Sequence, residues 1–219
     1  NLNRSVVEII DIDKKKVVHI FKPDIEKINS LSNLAKDKIN FKRDKNLQRY
    51  EITHPYLDNY GNLIFKNASP LNKVDSCSNL IWTLDGIFHH STEIDHEGNF
   101  WVLNADVENL KMSEYSYEII DEAITKVSAD GLILYQKSIA EIFLENDLEY
   151  KISKHSTFDY LDPFHSNDIQ PALNDTKYWN NLSDESKITW FWPCPGEKLV
   201  DQNRFISIDN NCSKPSNFS

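Results

Sequence analysis

Two stretches of this 219-residue chain concentrate groups that attack, donate or accept protons: the pair His89-His90 and the run Asp162-Pro163-Phe164-His165-Ser166-Asn167-Asp168. Neutral imidazole is a nucleophile and a proton shuttle near neutral pH, so histidines beside polar partners are the first residues to weigh. The chain has seven: His19, His54, His89, His90, His96, His155 and His165. His89-His90 opens a run of alternating apolar and polar residues. Adjacent strand residues point to opposite faces, so one member of the pair would face a ligand and the other would not. The alternative is a hydrogen-bonded histidine at a strand junction. Pro163 and Pro171 bracket the second stretch, making a constrained polar loop that serves either a site or a buried network.

Other chemistries find little support. Joining His89 or His90 with His165 and Asp168 would make a metal site, yet no H-E-x-x-H spacing fixes a geometry, and no metal is expected. Five glycines include no phosphate-cradling loop, so no nucleotide cofactor is expected either. A G-x-S-x-G elbow is absent from the sequence.

Repeated hairpins must position these residues. Val6–Ile12 with Val17–Phe21, His54–Leu57 with Leu63–Phe65, His89–Ile94 with Phe100–Leu103, and Ile124–Val127 with Leu132–Tyr135 are paired runs of β-forming residues. Gly61, Gly98 and Gly131 sit in three of the intervening turns, at intervals of 37 and 33 residues. A hairpin turn needs glycine where φ is positive. Hairpins at this spacing suggest an all-β chain, a β-propeller with a twisted sandwich as its rival. At about 40 to 50 residues per blade, the length supplies four or five blades. Pro23–Asn29 and Ile139–Asn146 read as short helical inserts, and Leu31–Tyr50 as either a helix or a mobile crossing. We expect a single domain over 1–219, with 183–219 a divergent C-terminal segment.

Composition bounds the partners. Hydrophobic residues make up 40% of the chain, enough for a core, and the formal net charge of -10 argues against a nucleic-acid partner. Lys14-Lys15-Lys16 reads as a solvated hairpin tip. No stretch approaches the roughly 18 to 20 apolar residues that cross a bilayer, so no membrane span is expected in this chain. Asn1-Leu2-Asn3-Arg4 offers neither an initiator Met nor a signal-type apolar core, which suggests a chain cut from something longer. Of Cys77, Cys194 and Cys212, the last two are the more plausible disulfide pair, with free thiols in a reduced compartment the alternative.

The hairpin ending VVHIFKPDI, HPYLDNYGNLIF from His54, DSCSNLIWTLDGIFHHSTEIDHEGNFWV from Asp75 and DPFHSNDIQPAL from Asp162 together resemble the arylsulfotransferase family, in a divergent bacterial branch. The resemblance spans most of residues 5 to 180, and its last two stretches are the specific ones. It implies a six-bladed propeller, periplasmic or secreted, that moves a sulfuryl group from a phenolic sulfate ester to a phenol through a histidine without a cofactor. Carried over by motif, His165 and Asn167 match the family's His-x-Asn pair, and His90, or else His89, matches an upstream active-site histidine. His90, His165 and Asn167 are thus the implied catalytic residues, and His89 and Asp168 the implied substrate contacts. The sequence also departs from the family. No histidine follows His165, and Arg204 is the only later arginine, where the family has an arginine-bearing strand and then a Gln-His-Asp motif that supplies its nucleophilic histidine. This pattern implies an internally deleted chain, and a second expectation stands beside the enzyme: a non-catalytic propeller that binds a ligand or a protein.

Overall fold

Alternating apolar residues flanked by turn formers give the hairpins their strands. The computed structural model describes residues 4–34, 37–105, 110–111, 118–148, 164, 166–171 and 188–189. The first hairpin pairs β1 (Val7–Asp11) with β2 (Lys16–Phe21) around an exposed lysine tip, where the Asp11 carboxylate accepts from the Lys14 backbone at 2.9 Å. Helix α1 (Ile25–Leu31) follows, its N-cap Asp24 accepting from Lys27 N–H at 3.0 Å. Ile25 and Ile28 bury themselves against Tyr50, Leu63, Phe65 and Val74. Among the described residues of the stretch left open between helix and crossing, the one helix beyond the end of α1 is the single-turn α2 (Phe41–Asp44), capped by Asn40.

The main sheet is an antiparallel meander. Its strands are β3 (Thr53–Leu57), β4 (Leu63–Lys66), β5 (Ser69–Val74), β6 (Leu80–Ile94), β7 (Phe100–Asn104), β10 (Ala123–Val127) and β11 (Ile133–Ser138), hydrogen-bonded in the order β11-β10-β7-β6-β5-β4-β3. The small ladder of β8 (Leu110–Lys111) with β9 (Glu118–Ile119) falls between β7 and β10 in sequence. Helix α3 (Ile139–Glu145) follows β11, and β12 (Gln170–Pro171) pairs with β13 (Ile188–Thr189). The chain is therefore mostly β, with antiparallel sheets and few helices.

One turn design recurs. In the turns starting at Asp58, Asp95 and Ser128, the first residue exchanges backbone hydrogen bonds with residues three and four positions on, and Gly61, Gly98 or Gly131 takes the left-handed position at φ 80°, 85° or 83°. The first side chain locks the loop from within: Asp58 Oδ1 accepts from Tyr60 and Asn62 N–H, and Asp95 Oδ1 from Glu97 and Asn99 N–H. Asp75 does the same with Cys77 and Asn79, and Ser78 occupies glycine's position at φ 67°. This turn joins β5 to β6 and makes a hairpin that the glycine spacing missed. Ser78 brings what glycine lacks, a hydroxyl that accepts from Lys22 N–H at 2.8 Å. Cys77 on the same turn is disulfide-bonded, which corrects the expectation of a bridge between Cys194 and Cys212, both outside the described residues.

Two compact units divide the described residues at Asp85–Gly86, inside β6. The first holds β1 to β5 and the first part of β6, around Phe21, Ile25, Tyr50 and Phe65. A buried Asp58–Lys73 ion pair at 3.1 Å and a Thr83–Asn72 hydrogen bond at 2.8 Å lie within it. Asp85 ties β6 to the end of α1, accepting from Ser32 Oγ at 2.6 Å and Asn33 N–H at 2.9 Å. The second unit runs from Gly86 and packs Leu103, Ile124, Ile139, Ala140, Phe164 and Ile169 together. At Gly86, φ is 154° and a Cβ would lie 2.4 Å from the ring of Phe88, which is fully buried.

Candidate functional site

Bulges re-aim strand side chains, and β6 carries one at the histidine pair. His89 pairs with Leu103, but the next pairing is Thr92 with Val102, so His90 and Ser91 are in excess over β7. His90 sits at φ 52°, a left-handed conformation that costs an L-residue about 1–2 kcal/mol. Two expectations change as a result. The pair lies well inside a fifteen-residue strand and not at its beginning. Strict alternation also fails, and the two imidazoles stand edge to face with their centroids 5.0 Å apart.

Asp121 and Glu122, both 3% exposed, precede β10. Asp121 secures the start of α3: its carboxylate takes the Ser138 hydroxyl and accepts from Ala140 N–H at 3.2 Å, and it also accepts from Glu122 N–H at 2.8 Å. Burial pushes its carboxyl above the ordinary range despite these bonds. Glu122 is fixed at its backbone, where its carbonyl accepts from Ile139 N–H at 2.8 Å. Its side chain then reaches two ways. One oxygen lies 3.5 Å from His89 Nε2, and the other accepts from Ser166 N–H at 3.0 Å. Sequence reasoning passed over Glu122, because an acidic pair between strands reads as solvent-facing. The signal available was its place two residues before the β-branched pair Ile124-Thr125.

The polar loop meets the bulge from the other side. Phe164 is buried, its ring 5.4 Å from that of Phe143. Ile169 is buried too, and its N–H donates to Ser91 Oγ at 3.0 Å. Ser166, Asn167 and Asp168 between them are partly buried. Asp168 is engaged with its own loop, accepting from Ile169 N–H at 2.9 Å and Gln170 Nε2 at 3.2 Å. The second unit therefore brings together His89, His90, Ser91, Glu122 and the segment from Ser166 to Ile169. His165 lies outside the described residues, as do Asp162, Pro163 and Arg204.

Chemically, the assembly offers imidazoles, a buried carboxylate and a loop held by backbone hydrogen bonds. Among the described residues, no group of three His, Cys, Asp or Glu side chains is arranged to hold a metal ion. No helix among them is long and apolar enough to cross a membrane.

A family model described as Arylsulfotransferase (ASST) matches residues 56–214, most of the chain. No curated protein and no solved structure matches it.

Proposed function

We propose, from the premise that this chain belongs to the arylsulfotransferase family, that it serves sulfuryl transfer from a phenolic sulfate ester to a phenol. In this reaction an imidazole nitrogen bonds to sulfur as the bond from sulfur to the aryl oxygen breaks. The departing phenolate takes up a proton, and an acceptor phenol then reverses the exchange. Donors around the sulfuryl oxygens stabilise charge that builds up as sulfur is attacked. His165, His90 and Asn167 are the candidate catalytic groups, with His89 and Asp168 as substrate contacts. No cofactor enters the scheme.

One observation carries this reading. Ser91 Oγ holds Ile169 N–H, and Glu122 holds Ser166 N–H while facing His89, so two links join the histidine-bearing bulge to the loop of the His-x-Asn motif. Strained residues cluster at active sites, so a strained histidine beside such a loop supports a preorganised site. The fold we propose is a β-propeller: with β6 divided between them, each unit has four antiparallel strands of the seven-stranded meander, the number in a blade. We place the protein in the periplasm or outside the cell, a reading favoured by the disulfide at Cys77, since disulfides persist in oxidising compartments.

The test is release of p-nitrophenol from p-nitrophenyl sulfate with phenol as acceptor. Release by the wild type, abolished in His165→Ala, is expected. Release no greater than that of the variant sinks the enzyme reading. A second reading rests on a specific observation, the lack of any histidine after His165 and of any later arginine but Arg204. It makes the chain a non-catalytic propeller that binds a ligand or a protein, and aryl sulfate bound without turnover would favour it.

A further inference from the structure

We infer that Glu122 is a positioning residue of this site, clamping the His89 imidazole and the His-x-Asn loop with one carboxylate; the inference rests on the proposed sulfuryl transfer for its kinetic consequence. A carboxylate whose side chain is only 4% exposed is costly to bury unless each oxygen has a partner. Two neighbours of the Glu122 carboxylate are functional candidates or adjoin one: His89 Nε2 at 3.5 Å, and the N–H of Ser166, the residue after His165, at 3.0 Å.

The geometry leaves Glu122 little freedom to do otherwise. Its amide donates to Asp121, its carbonyl accepts from the first residue of α3, and Asp121 itself is bonded to Ser138 and Ala140. The side chain therefore leaves a backbone pinned at β10 and α3 and ends between the bulge and the loop. An ionised carboxylate only accepts hydrogen bonds, so each neighbour must turn an N–H toward it. Ser166 does so with its backbone. His89 meets the requirement when Nε2 carries the proton, which makes Nδ1 the unprotonated nitrogen when the ring is neutral. At 3.5 Å this contact works through charge and orientation more than through a closed hydrogen bond.

Nitrogen NMR of labelled histidine in the wild-type chain tests this directly. Nε2 of His89 carrying a proton is expected, whereas a ring protonated at Nδ1 alone overturns the assignment. Glu122→Gln sharpens the test, because an amide offers one acceptor and one donor to two neighbours that both need an acceptor. With its oxygen on Ser166, its NH2 meets Nε2, and the His89 proton should move to Nδ1. In the same variant, kcat for transfer from p-nitrophenyl sulfate to phenol should fall about tenfold or more while KM changes about twofold or less. Unchanged His89 and Ser166 resonances in Glu122→Gln overturn the clamp. The NMR signals need no turnover, so a wild type that keeps them but releases no p-nitrophenol defeats the transfer reading and not the clamp. Should Glu122→Gln fail to fold, Glu122→Asp keeps the charge but cannot span both neighbours, and loss of the His89 or the Ser166 signature is expected; retention of both overturns the proposal.

Discussion

His90 is held where a non-glycine residue is strained, and the strain has a measurable counterpart. Replacing His90 with glycine removes the Cβ that disfavours a φ of 52°, so stability should hold or rise by about 1 kcal/mol. The same change deletes an imidazole of the candidate site, so sulfuryl transfer should be lost. Chemical denaturation and the p-nitrophenol assay on this one variant separate the two effects. A loss of more than about 1 kcal/mol would mean that the ring contact with His89 outweighs the strain. The pair itself was legible in the sequence, because two adjacent histidines beside a strand stand out. Its bulge was not, since nothing in the order His89-His90-Ser91-Thr92 marks where pairing slips. Glu122 was equally hidden, because its partners come from β6 and from a loop more than forty residues away.

Elements were easier to read than residues, and turn chemistry explains why. Gly61, Gly98 and Gly131 announce their turns because only glycine adopts φ near 80° without penalty. The equivalent turn at Asp75 stayed hidden behind Ser78, although the pattern of Asp followed four positions later by Asn was visible at Asp58, Asp75 and Asp95 alike. Helices α1 and α3 were legible, the first from its proline and acidic start and the second from its apolar face. Gly86 is a different kind of glycine. At Gly98 an added Cβ meets nothing within 4 Å, so Gly98→Ala should cost only its backbone conformation, about 1–2 kcal/mol. At Gly86 the same Cβ collides with the buried Phe88 ring, and Gly86→Ala adds overpacking of about 1–3 kcal/mol to the backbone cost. Equal denaturation midpoints for the two variants would show that β6 has slack at that point.

For the molecule as a whole, pH acts on both units. Burial pushes the Asp58 and Asp95 carboxyls up, but hydrogen bonds outweigh it and leave both below 3.8: from Asn62 and Lys73 at Asp58, and from Lys126, Asn99 and Trp101 at Asp95. Their contribution to stability is complete above 3.8 and is lost as pH falls through the depressed folded values. Asp121 runs the other way. Burial raises it against its bonds to Ser138, Ala140 and Glu122, so its contribution is complete below 3.8 and is lost as pH rises through the raised value. Melting temperature should therefore drop toward acid, less steeply in Asp58→Asn and more steeply in Asp121→Asn. An acid slope in Asp58→Asn identical to that of the wild type would contradict the assignment. The bulge at His90 also bears on how such a chain changes over generations. The irregularities in β1–β2, β3–β4 and β10–β11 each shift the register by one residue, whereas His90 and Ser91 make an excess of two. Strand faces alternate with period two, so an odd excess exchanges inside and outside beyond it and an even excess keeps the frame. His90 and Ser91 thus form a parenthesis within β6. Inherited or discarded together, they leave Thr92 to Ile94 facing as before; parted, they turn the rest of the strand inside out.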